Sequence, residues 1–112
     1  MVTPLDELKP FEARITKLLC DSGFLVNLWE GTEGTLRDTC VFSKANDGQN
    51  GIRTYYHMFL SLWNASPASD THDSFRFGIH ELDTAKIIIP NTAFARTNED
   101  AILAEIRKAL KL

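Results

Sequence analysis

The sequence is poor in cysteine and contains no long hydrophobic run. Its two cysteines, Cys20 and Cys40, are too few for a disulfide framework and lack the spacing of a zinc site. Because a free cysteine behaves as a small apolar side chain, both thiols are expected to be buried. No apolar run approaches the roughly 20 residues that a membrane helix requires, and no signal-peptide pattern opens the sequence. We therefore expect a cytoplasmic protein that does not associate with membranes.

The sequence also lacks a strong excess of basic charge. It contains 12 basic and 15 acidic residues, which gives a formal net charge of −3. A domain that binds a nucleic-acid backbone through overall charge is strongly basic. Any contact between this chain and nucleic acid must therefore be local.

The length of 112 residues is typical of one domain, and residues 1–112 are predicted to form a single small domain. A chain of this size buries roughly 65% of its unfolded surface on folding. Its hydrophobic content of 44% is ordinary for a globular protein. The fold is therefore expected to need neither a metal ion nor a disulfide, and no cofactor is predicted.

Helical periodicity marks both ends of the sequence. Before Gly23, leucine and isoleucine recur at helical spacing, and Thr3 followed by Pro4 is typical of a helix start. Pro10 is expected to break or restart this helix, because proline clashes in a helix interior. The final segment, TNEDAILAEIRKALKL, predicts a second helix with Thr97 as its cap, since acids lead and bases follow as the helix dipole favours.

Five strand candidates lie between the two helices. They are FLVNLWEG, DTCVFSK, TYYHMFLSLW, FRFGIHEL and KIIIP, separated by segments rich in turn-forming residues. Asp83 and Thr84 separate the last two strands at the spacing of a hairpin. A bare apolar sheet face is unstable in water, so helices are expected to cover one face. The predicted fold class is α+β, with an antiparallel or mixed sheet of about five strands flanked by an N-terminal and a C-terminal helix.

Alternation along two strands places aromatic and basic side chains on one sheet face. Met58 and Leu60 alternate with His57 and Phe59, so the apolar set faces the core and the other set faces away. FRFGIHEL alternates in the same way, and pairing the apolar sets of both strands brings their polar sets together. The residues predicted to form a ligand or interface surface there are Tyr55, His57, Phe59, Trp63, Arg76 and His80.

This predicted face has three interpretations. In the first, it is an amphipathic sheet surface that a helix partly shelters. In the second, it is a binding surface, because aromatic rings with a few polar groups line both ligand pockets and protein interfaces. The third interpretation is a metal or acid-base site on His57 and His80, for which a third ligand is missing.

Other candidate sites lack the required pattern. Asp70, His72 and Asp73 fall within one loop, but the loop departs from the calcium-binding pattern and is interpreted as a solvated turn. The segment GTEGT has neither the lysine nor the spacing of a phosphate-binding loop. No motif places an acid, a base and a nucleophile together. No catalytic residue and no metal ligand are predicted, and a non-enzymatic role is favoured while an enzyme is left open.

CVFSKANDG, followed by a long strand and then by SFRFGIHELDTAKIIIPNTAF, resembles small members of the restriction-endonuclease-like PD-(D/E)XK superfamily, over roughly residues 12–95. The resemblance implies that Lys44 occupies the position of the lysine that activates water near a metal ion. Phe42 stands where the superfamily has its metal-binding acid, and a phenyl ring cannot ligate Mg²⁺. The resemblance thus implies a degenerate domain that lacks the acidic catalytic residues.

Three functions follow as hypotheses. The first is a non-catalytic binding or interaction domain that uses the aromatic and histidine-bearing face. Through this face the chain is expected to form a homodimer, and an unknown protein or a small molecule is the other expected partner. The alternative is a nucleic-acid-associated, degenerate nuclease-like domain. The third is a metal-dependent hydrolase. The further residues predicted to contact nucleic acid are Trp29, Lys44 and Arg53.

Overall fold

The computed structural model describes residues 4–31, 36–45, 51–63 and 72–112 as two helices and a six-stranded antiparallel sheet. The predicted α+β class with terminal helices is therefore confirmed. The elements are α1 (Pro4–Asp21), β1 (Leu25–Val26), β2 (Glu30–Gly31), β3 (Arg37–Ala45), β4 (Arg53–Trp63), β5 (Ser74–Glu81), β6 (Ile87–Ala95) and α2 (Glu99–Leu110).

The first helix is continuous through Pro10, so the predicted break is wrong. Leu8, Phe11 and Ile15 are buried on one side of the helix, at spacings of three and four residues. Pro10 is exposed on the opposite side. Its ring displaces no core side chain, and burial of the apolar stripe holds the helix together on both sides of the proline. The predicted cap, Thr3, lies outside the described residues.

The sheet order is β1-β3-β4-β5-β6, and β2 also pairs with β3. The single strand predicted for FLVNLWEG is thus two short strands against one partner, because β1 and β2 pair with opposite ends of β3. The hairpin predicted at Asp83 and Thr84 joins β5 to β6, and Ala85 in its turn adopts a positive φ of 57°. Two register shifts, between Phe77 and Ile79 and between Ile79 and His80, each give β6 one residue more than β5.

Both helices contribute to one core on one face of the sheet. Ile102 and Ile106 of α2 belong to the same buried cluster as the apolar stripe of α1 and the inner residues of β3, β4 and β5. Arg14 of α1 joins the helices by donating to Glu99 and Asp100, at 2.7 Å each. Within the described ranges, neither helix covers the other face of the sheet, which we call the outer face. No described helix has the length and apolar character that crossing a membrane requires.

Two local predictions are wrong. The second helix takes Asn98 rather than Thr97 as its N-cap residue, although Glu99 and Asp100 occupy its first turn as the charge pattern predicts. Cys40 is buried in β3, as expected, but Cys20 is exposed. Cys20 follows the last buried leucine of α1, so one further step of 100° turns it from the core towards water.

Candidate binding face

The register of β4 and β5 places the six predicted residues on the outer face. His57 lies opposite His80, and Ser61 lies opposite Arg76. Residues paired across an antiparallel sheet point to the same side, so these partners are neighbours. Their neighbours along each strand, such as Met58 opposite Ile79, are buried in the core. Tyr55 and Trp63 lie at opposite ends of the outer face of β4.

A row of polar side chains crosses three strands at one end of this face. Arg37 of β3 lies opposite Ser61 of β4, which in turn lies opposite Arg76 of β5. We call these three residues the arginine row. With strands about 4.8 Å apart, the Cα atoms of Arg37 and Arg76 are separated by roughly 10 Å. The row therefore holds two guanidinium groups with a hydroxyl between them.

The predicted site residues do not include Arg37, which lies one residue before the predicted start of its strand. The alternation of side chains along the strand would have identified Arg37, because Arg37 is two residues before Thr39 and shares its side of the sheet. Extending the strand by one residue would have added Arg37 to the face.

Phe59 is buried on a face that no described helix covers. Its ring lies over Gly78, the residue opposite it in β5, where a side chain would collide with the ring. The guanidinium carbon of Arg37 lies 4.5 Å from the ring centre, within cation–π range. Phe59 is consequently only 7% exposed. It supports Arg37 rather than offering a free ring surface to a ligand.

Trp63 and Arg76 form a second stack beside the row. The guanidinium carbon of Arg76 lies 4.2 Å from the centre of the Trp63 ring, and Trp63 is 49% exposed. The Nε atom of Arg76 is buried and has no acceptor in the part of the chain that the structure describes. Buried donors are normally satisfied, so this N–H group is suited to an oxygen supplied by a ligand or by water. It lines a cleft of about 280 Å³, together with Arg37, Phe59, Ser61, Trp63 and Asn91.

The two histidines stack in the middle of the outer face. Their ring centres are 5.4 Å apart and their planes differ by 18°. Burial lowers the pKa of His57 below its ordinary 6.5, and the positive charges of His80 and Arg37 lower it further. The described residues contain no group of three or more potential metal ligands, and Asp70 lies outside them. The metal-site interpretation thus gains no third ligand near His57 and His80.

Charge is segregated on this face. Three arginines, Arg37, Arg53 and Arg76, point to this face from β3, β4 and β5. These three strands place no carboxylate on it. Among the described strands, an acid reaches the outer face at its edge, where Glu30 of β2 lies opposite Thr39. A local basic surface therefore exists on a chain whose net charge is negative.

The other residues predicted to contact nucleic acid do not form one surface. Trp29 lies on the helix side of the sheet, where its indole N–H donates to the hydroxyl of Thr16 at 3.0 Å. Lys44 belongs to the core side of β3, with its ammonium 5.1 Å from the centre of the Phe24 ring. Arg53 begins β4 on the outer face and is half-buried. Of these three residues, Arg53 alone shares the face of Arg76.

In comparisons with known proteins, no family model, no curated protein and no solved structure matches the chain. The resemblance to the restriction-endonuclease-like superfamily therefore stays a prediction. Phe42, in the position of the missing acid, is buried and stacks on Tyr56 with ring centres 4.9 Å apart.

Proposed function

We propose that the protein is a non-catalytic binding domain whose outer face binds single-stranded nucleic acid. The observation that carries the proposal is the arginine row, which lies beside the exposed ring of Trp63 on a face that no described helix covers. Guanidinium groups bind phosphate oxygens through two parallel hydrogen bonds, and exposed aromatic rings stack on unpaired bases.

The arrangement of rings favours a single strand over a duplex. Trp63 and Tyr55, which is 42% exposed, are eight residues apart on one strand and therefore about 26 Å apart. Sheet faces with exposed aromatic rings bind single strands because unstacked bases can lie against the rings. A duplex keeps its bases stacked inside and offers these rings no partner.

The acidic composition is compatible with this proposal. The acids of the helices, such as Glu7, Asp21 and Glu105, belong to elements on the core side of the sheet. The outer face carries its own local excess of positive charge, and a local contact needs only that excess.

Fluorescence anisotropy with labelled single strands and matched duplexes would test the proposal. At about 50 mM salt we expect the single strand to bind more tightly, and affinity to fall steeply towards about 200 mM, because each phosphate contact releases counterions. Replacing Arg37 or Arg76 by alanine is expected to weaken binding. The matched control is Arg107→Ala on α2, which removes an exposed arginine outside the outer face. Absence of binding at the lower salt concentration, or equal loss in the control, would refute the proposal.

Self-association through the same face is a second candidate. Tyr55, Trp63 and Ile87 are large and exposed there, which favours burial against another surface. A symmetric face-to-face dimer would bring two positively charged surfaces together, since each copy presents Arg37, Arg53 and Arg76 on this face. Salt therefore separates the candidates: added salt strengthens such a dimer by screening and weakens nucleic-acid binding. Light scattering coupled to size exclusion, at low and high salt, measures the dimer directly.

A further inference from the structure

The core side of β3 contains a pair of buried carboxyl groups that the outer face does not use. Glu12 of α1 is 3% exposed and Asp38 of β3 is 0% exposed. The Oε1 atom of Glu12 and the Oδ1 atom of Asp38 have no hydrogen-bond donor within the described ranges. Lys9 supplies one positive charge, with its Nζ atom 3.5 Å from Asp38 Oδ2 and 3.8 Å from Glu12 Oε2.

If both acids are ionised, the cluster of Glu12, Asp38 and Lys9 carries a net negative charge. Two carboxylates beside one ammonium leave an uncompensated charge in a site shielded from water, and a buried acid in that position takes up a proton instead. The side chains of Glu12 and Asp38 are hydrogen-bonded, and one proton on either carboxyl group supplies the donor that a bond between two carboxyl groups requires. The geometry therefore has a place for one proton.

We propose that Glu12 and Asp38 share one proton, and that this proton fastens the middle of α1 to β3. Loss of the proton leaves two carboxylates facing each other, and their repulsion drives the helix and the strand apart. Lys9 can compensate only in part, because its side chain is half exposed and serves both acids.

The electrostatics of the cluster support this inference. The pKa of Glu12 is raised from 4.5 to about 8: burial is the largest cause, the hydrogen bond with Asp38 and the charge of Asp38 add to it, and the charge of Lys9 opposes it. Cys40 also faces the cluster from β3. Burial and the charge of Glu12 raise the pKa of its thiol to about 12, so the thiol stays neutral while Glu12 titrates.

The pH dependence has a defined sign. Between about 4.5 and about 8 the folded state holds a proton that the unfolded chain releases. The contribution of Glu12 to stability is therefore greatest below about 4.5, falls as pH rises, and levels off above about 8. Helix α1 should loosen over the upper part of this range.

Trp29 is a local reporter of this movement. Its indole N–H donates to Thr16, one turn after Glu12 on α1, and Trp29 lines a cleft of about 450 Å³ with Thr16 and Glu12. The sequence contains two tryptophans, so Trp63→Phe leaves Trp29 as the single indole fluorophore.

The test follows the emission of Trp29 and the amide exchange of α1 from about pH 6 to about pH 9.5 in the Trp63→Phe background. We expect both signals to change with a midpoint near 8, and no such change in Trp63→Phe with Glu12→Gln. Glutamine cannot ionise, and its amide donates permanently to Asp38. Glu12→Gln should also raise the melting temperature at about pH 9 and not at about pH 5. The control is Glu105→Gln on α2, which is exposed.

A pH-independent Trp29 signal in the parent would overturn the proposal, and so would a Glu12→Gln variant that is less stable at both pH values. If Glu12→Gln does not fold, the ¹³C carboxyl resonance of Glu12 in the unmodified protein decides. A titration midpoint near the ordinary 4.5 contradicts a shared proton, and a midpoint near 8 supports it.

Discussion

Gly78 of β5 lies directly opposite Phe59 of β4, and the Phe59 ring occupies the space that a side chain at position 78 would need. The glycine leaves room for the ring, and the guanidinium carbon of Arg37 lies 4.5 Å from the ring centre. We expect Gly78→Ala to lower the free energy of unfolding by about 1–3 kcal/mol, because the added methyl group displaces the ring. Chemical denaturation measures this change.

A double-mutant cycle tests whether Phe59 causes that loss. Phe59→Leu removes most of the ring, so Gly78→Ala should cost less in that background than in the parent. Fully additive losses would mean that the ring and the glycine are independent.

Arg76 combines a charge with a planar donor group, and Arg76→Lys separates the two. Lysine keeps the charge, but it has no Nε–H group facing the cleft and no planar group to stack on Trp63. We expect Arg76→Lys to weaken binding of a single-stranded oligonucleotide severalfold with an unchanged salt dependence, whereas Arg76→Ala also lowers the salt slope by about one. Anisotropy titrations at several salt concentrations measure both effects. Equal affinity of Arg76→Lys and the parent would show that the planar donor group of Arg76 does not contribute to binding.

The histidine stack predicts a pH dependence of binding. Protonation of His57 adds a positive charge to the outer face, so affinity for a phosphate backbone should rise as pH falls through its pKa, which burial lowers from the ordinary 6.5. Stability should change in the opposite sense, because an unfolded chain protonates this histidine at a higher pH than the folded one does. His57→Gln is expected to reduce both effects. His72→Gln, outside the strands of the outer face, is the control, and loss of the pH response in that variant would contradict the assignment.

The two thiols should differ in reactivity. Cys20 is exposed, whereas Cys40 is buried and the pKa of its thiol is raised to about 12. We expect a thiol reagent to modify Cys20 in the native protein and Cys40 only after unfolding in denaturant. Mass spectrometry of the parent and of Cys20→Ser measures this. Rapid modification of native Cys20→Ser would show that Cys40 is accessible.

The sequence predicted which side chains lie on the outer face more successfully than it predicted their contacts and burial. Alternation along β4 and β5 is a property of each strand, so the sides of His57 and His80 followed from the sequence, and matching the apolar sets placed both on one face. The register that sets His57 directly opposite His80 came from the structure. The same reasoning placed Phe59 on that face but could not predict its burial. That burial depends on Gly78 in one neighbouring strand and Arg37 in the other.

Local patterns by themselves determined the fold class, the terminal helices, the last hairpin and the two sides of the central strands, because each depends on a period of two or 3.6 residues along the chain. Only the tertiary structure decided that Pro10 stays within a helix, that Arg37 and Arg76 flank Ser61, and that Glu12 meets Asp38. These features arise from contacts through space between elements distant in sequence. Their energies come from burial and from charge proximity, which no periodic pattern records.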